Sequence, residues 1–109
     1  MKIVLFQAGR PGREYIMPGD KPEADLADML GGAVELTTLN KRLEVITRVD
    51  GEKLRLPIHY AMHRIGRAVE PLAGDCAVVA RTAAGQLTDI GMDDVAAAVT
   101  YIRTLEGRV

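Results

Sequence analysis

The chain contains no serine and no tryptophan, and only one cysteine, one phenylalanine and two histidines in 109 residues. Each shortage removes a class of chemistry. Without serine there is no serine hydrolase. Cys76 or a threonine would have to act as nucleophile, and neither has a base at a spacing that sequence reveals. A lone cysteine closes no internal disulfide and builds no Cys-rich zinc site, which fits a reducing compartment. Its setting, Cys76-Ala77-Val78-Val79-Ala80, is wholly apolar, as for a buried strand thiol rather than a reactive one. No run approaches the roughly 18 apolar residues of a membrane span. Met1-Lys2-Ile3-Val4-Leu5-Phe6 is too short an apolar stretch for a secretory leader and reads as a first strand. The expectation is a cytoplasmic protein with no membrane partner.

What is present is ordinary globular material, 48% apolar and 27% charged. Its length suits one domain spanning residues 1–109, able to bury roughly two thirds of the surface of the unfolded chain. With so few aromatics, Val, Leu, Ile, Ala and Met must fill the core. The net charge is −1 but it is segregated. Residues 14–36 carry six acids against Lys21 alone, whereas residues 41–67 carry seven bases against three acids. A basic middle segment is a candidate for phosphate contacts.

Along the chain, Lys2–Gln7 has the continuous apolar pattern of a strand covered on both faces. Gly9-Arg10-Pro11-Gly12 turns it into a second strand over Arg13–Met17. Asp20, Pro22 and Glu23 form a helix start with a capping box, and Gly31-Gly32 form its stop. Ala33–Leu39 and Leu43–Val49 are strands joined at Asn40-Lys41-Arg42. Asp50-Gly51 predicts a tight hairpin with Lys53–Leu56 returning. Ile58, Ala61, Met62 and Ile65 recur at helical spacing and predict a short helix closed by Gly66. Ala73–Arg81 is apolar enough for a central strand. Ala84-Gly85-Gln86 is a turn, followed by a brief edge strand to Thr88. A last helix from Gly91 carries Met92, Val95, Val99, Ile102 and Leu105 on one side, with Asp93 and Asp94 at its positive end. The predicted order is β-β-α-β-β-β-(short α)-β-α. The fold class is α+β, with a mainly antiparallel sheet of five to six strands, two main helices and one short one, the helices on one face.

Four patterns invite a chemical reading. His59 and His63 stand four apart, the spacing of helical metal ligands, yet Tyr60 occupies the place where a zinc protease has its glutamate, and no third ligand is evident. We expect no metal and no cofactor. Gly9-Arg10-Pro11-Gly12 matches a nucleotide-clamping Gly-x-x-Gly, but joins two strands rather than two helices, so it reads as a basic turn. Asp93-Asp94 and Glu23 are accounted for by helix-start electrostatics. The remaining pattern is the outer side of the predicted short helix. There His59, Tyr60, His63, Arg64 and Arg67, with Arg55 just before them, combine cations and one aromatic, a set able to meet an anionic partner.

In its order of segments the chain resembles a family of short proteins of unknown function found mainly in bacteriophages and other mobile elements. The matching segments are Gly31-Gly32-Ala33-Val34-Glu35-Leu36, Leu56-Pro57-Ile58-His59-Tyr60-Ala61 and Ala73-Gly74-Asp75-Cys76-Ala77-Val78-Val79. Members carry Asn-Arg where this chain has His59-Tyr60. The resemblance implies a phage or mobile-element setting in the cytoplasm of a bacterial host, and it implies no activity. Three functions are therefore expected, in this order: a non-catalytic accessory protein that binds a host or phage macromolecule, first of all a protein; a nucleic-acid-binding module using residues 41–67; and a small-ligand protein that takes a nucleotide. An exposed edge strand would also allow a homodimer.

Overall fold

The most apolar stretch becomes the centre of the molecule. A computed structural model describes residues 1–18 and 21–105. In it Cys76–Arg81 forms strand β7, in which Cys76 through Ala80 are all buried. In chain order the strands before it are Lys2–Phe6 (β1), Arg13–Ile16 (β2), Val34–Thr38 (β3), Leu43–Arg48 (β4), Ile58–Met62 (β5) and Glu70–Ala73 (β6). Leu87–Thr88 (β8) and Ile102–Thr104 (β9) come after it. The helices are Pro22–Leu30 (α1) and Met92–Tyr101 (α2). The fold is α+β, with the strands in two sheets. The larger runs β2-β1-β7-β4-β3, with β8 added to β7, and the smaller runs β6-β5-β9. Every pairing is antiparallel.

Alternation along the strands sends side chains to two separate cores. On one face of the larger sheet Ile3, Leu5, Ile46, Ala77 and Val79 pack with Met17 and with Leu26 and Leu30 of α1. On the other face Val4, Phe6, Leu43, Val45, Cys76 and Val78 meet Tyr60, Met62 and Leu72 of the smaller sheet and Ala98 of α2. The helices thus lie on opposite faces, not on one as the sequence predicts, because the second face is wide enough to need a sheet and a helix to cover it.

Local signals explain the element ends. Pro22 opens α1, where a missing donor costs nothing. Gly31, at φ +90°, closes it in the left-handed conformation and donates its N–H to the Ala27 carbonyl. Asp20, the expected cap, lies outside the described residues. Asn40 Oδ1 accepts from the backbone N–H groups of Arg42 and Leu43 at 2.8 and 2.9 Å, which fixes the β3–β4 turn. Gly12 is a packing requirement, since a Cβ there would lie 2.5 Å from the Phe6 ring.

Two further expectations are corrected. The short helix over 58–65 is strand β5: Ile58 and Ile65 are exposed, so the helical spacing marked no buried stripe. The Asp50-Gly51 hairpin is also absent, and residues 49–55 wind through successive turns instead of returning as a strand. There Leu54 donates to the Asp50 carbonyl and Leu56 to the Gly51 carbonyl. Gly51 is needed because a Cβ on it would stand 2.9 Å from the Ala73 carbonyl oxygen of β6.

Candidate functional site

Strand β5 runs into a turn over residues 63–69 before the chain returns as β6. Arg67 donates its N–H to the Arg64 carbonyl at 3.2 Å, and Gly66, at φ +75°, supplies the left-handed residue that a turn of this kind requires. The turn stands over the junction of α2 with β9. The chain leaves the helix at Tyr101 and enters the strand at once, and His63 donates its N–H to the Tyr101 carbonyl at 2.7 Å.

Between the turn and this junction lies a cleft of about 530 Å³. Its lining brings together Arg64, Arg67, Arg103 and His63 with Thr100, Tyr101 and the apolar Ile65, Val69 and Ala97, and among the described residues no carboxylate lines it. Arg64 is anchored. It donates to the Thr38 carbonyl at 3.3 Å, and its other terminal nitrogen lies 3.7 Å from Glu70. The Tyr101 hydroxyl accepts a weak bond from the Asn40 side chain at 3.4 Å. Ile65 stands at the rim, 99% exposed. The described lining is therefore rich in basic residues, offset at Arg64 by the neighbouring Glu70.

The six residues singled out from the sequence do not stay together. His63, Arg64 and Arg67 line the cleft. Arg55 lies in the preceding turn at φ +54°, exposed and away from the cleft wall. His59 sits at the far end of β5, against Gly9. Along a strand, four residues span about 13 Å, against about 6 Å on a helix, so His59 and His63 lie too far apart to share an ion. Tyr60 is removed from any docking face. It is fully buried, stacks edge-to-face on Phe6 at 5.5 Å and donates its hydroxyl to the Arg10 carbonyl at 2.8 Å. Burial first, then the neighbouring Cys76 and Asp75, push its phenol up to about 12. Burial likewise raises the Cys76 thiol, with a smaller contribution from Asp75. A thiol so placed is a packing element, not a nucleophile.

The Gly9–Gly12 loop is held by the core as well. Ala8 donates its N–H to Asp75 at 2.9 Å, and the Arg10 carbonyl holds Tyr60. The basic segment 41–67 is broken up by folding: Arg42 pairs with Asp94 at 3.0 Å, Arg48 with Asp50 at 3.0 Å and Arg64 with Glu70. Three of the seven cations in this segment are thus paired with acids. Arg103 was the residue that sequence reasoning missed. The signal was there in Thr100-Tyr101-Ile102-Arg103-Thr104, rich in β-branched and aromatic residues, which marks a strand rather than a helix end.

Within the described residues no helix is long and apolar enough to cross a membrane. Compared with models of known protein families, with curated proteins and with solved structures, the chain finds no match in any of the three.

Proposed function

We propose that the chain is a binding protein without catalysis of its own, which meets a macromolecule bearing clustered negative charge, in the first place an acidic protein segment. One observation supports this reading: three arginines and a histidine share the lining of a single cleft, in which no acid stands among the described residues. Arg64 is held by Glu70, while Arg67 and Arg103 form no ion pair among the described residues; cations so placed serve to attract and orient, whereas proton transfer calls for groups of opposed character. The exposed Ile65 at the rim favours a macromolecule over a free small anion, since it offers apolar contact outside the concavity. In the setting implied by the family resemblance, the partner belongs to a bacterial host or to the phage, and the encounter takes place in the cytoplasm.

Titration calorimetry with an acidic peptide, a single-stranded oligonucleotide and a nucleotide panel, at low and physiological salt, tests the proposal. The expected result is peptide binding that weakens with salt and is lost in Arg67→Glu/Arg103→Glu. Equal binding by the wild type and the double variant would sink it. Preference for the oligonucleotide would favour a nucleic-acid module, with Tyr101 as the stacking surface in the cleft. Nucleotide binding alone would favour a small-ligand protein, for which the cavity has adequate volume.

A further inference from the structure

We propose that β3 is a pairing edge and that its occupant is the β3 strand of a second copy of this chain, joined antiparallel about a two-fold axis at Leu36. Strand β3 ends the larger sheet. Its ladder to β4 has five consecutive pairs without a bulge. The Ala33 carbonyl accepts from Val49 and the Leu39 N–H donates to Leu43, so the odd residues point their backbone groups inward. Val34, Leu36 and Thr38 therefore turn their N–H and C=O groups outward. Among the described residues, the one group that meets these outward atoms is the Arg64 guanidinium, on the Thr38 carbonyl. That carbonyl keeps a second lone pair for another donor.

The other edges are blunted in familiar ways. Strand β2 is flanked by Pro11 and Pro18, β6 contains Pro71, and β9 spans three residues. No proline occurs from residue 23 to 56, and β3 carries no lysine. Its side chains are also self-complementary. With Leu36 opposite Leu36, Val34 faces Thr38 and Glu35 faces Thr37, so no like charges meet and β-branched residues pair across the join. Shifting the axis to Glu35 would set two carboxylates directly opposite each other, which excludes that register. Leu36 is 45% exposed, an apolar contact waiting at the axis.

Sedimentation equilibrium on the full chain, with circular dichroism to confirm folding, tests the proposal. The wild type is expected to be a dimer at tens of micromolar, and Leu36→Lys, which sets two like charges face to face, a folded monomer. Under oxidising conditions Leu36→Cys is expected to yield a disulfide-linked dimer, and Glu35→Cys, opposite Thr37, to remain unlinked. The geometry allows this bond, since Cα atoms of a hydrogen-bonded pair stand about 5.5 Å apart. Cys76, being buried, does not compete. A monomeric wild type, a dimer that survives Leu36→Lys, or cross-linking at Glu35→Cys instead of Leu36→Cys would each overturn the proposal.

Discussion

Strands β7 and β5 each stand in the middle of a sheet, but they are held differently. β7 is bonded to β1, β4 and β8 and has apolar layers on both faces. β5 has two short neighbours, and its buried cluster lies on the side of the larger sheet, with Tyr60 and Met62 in the common core. The difference separates frame from site. Residues that bind must reach solvent, so the cleft forms where the smaller sheet meets its turn and not along the doubly covered strand. The buried centre of the larger sheet holds the thinner one in place, and the thinner one borders the cleft proposed as the binding site.

The sharpest way to break this comparison is to remove the joint between the sheets. Phe6, in β1, meets Tyr60 in β5, and Phe6→Ala is expected to cost about 3–5 kcal/mol, read by urea denaturation. Hydrogen exchange on the same variant should show β5 and β9 amides opening well before those of β7; equal protection would mean that the two sheets fold and open as one unit.

Tyr60→Phe is expected to cost about 1 kcal/mol through loss of the bond to the Arg10 carbonyl, and it carries a pH signature. The folded state raises this phenol from 10.0 to about 12, so it favours the protonated form. The resulting stability is fully present below pH 10 and is lost as pH rises towards 12, with the unfolded chain releasing its proton first. Melting temperatures followed from pH 8 upward should fall, and Tyr60→Phe should flatten part of that fall, leaving the contribution of Cys76.

Gly66→Ala is expected to cost about 1 kcal/mol, because its φ of +75° strains any residue with a Cβ even though the space around it is open. Its larger effect should be on anion affinity, since the turn sets the direction of Arg67. The smallest expected change in stability is that of Arg67→Ala, within about 0.5 kcal/mol, together with a clear loss of binding. A variant that bound normally would remove the cleft from the functional account.

The frame was legible and the site was only partly so. β1 and β7 are readable because a strand covered on both faces must be apolar at every position, a pattern that needs no partner to interpret. β3, β4 and the stop of α1 at Gly31 follow from equally local rules. Residues 50–65 obey distant ones. Asp50-Gly51 looks like a hairpin, yet its glycine answers to Ala73, and Asp50 is drawn back by Arg48. The spacing of Ile58, Ala61, Met62 and Ile65 predicts a helix, but pairing with β6 and with the distant β9 makes the segment a strand. With the helix went the shared face of Arg55, His59 and Tyr60. His63, Arg64 and Arg67 still line one cleft because they lie in and beside the turn, where direction depends less on the element before it.

The interior position of Cys76 has a practical consequence. Sealed between the two layers and drawn away from its thiolate form, this sulfur stays invisible to alkylating reagents until the protein breathes open. The native chain therefore contains its own stopwatch: with dye in such excess that labelling outpaces reclosing, the rate of attachment counts how often the layers part, with no mutation required.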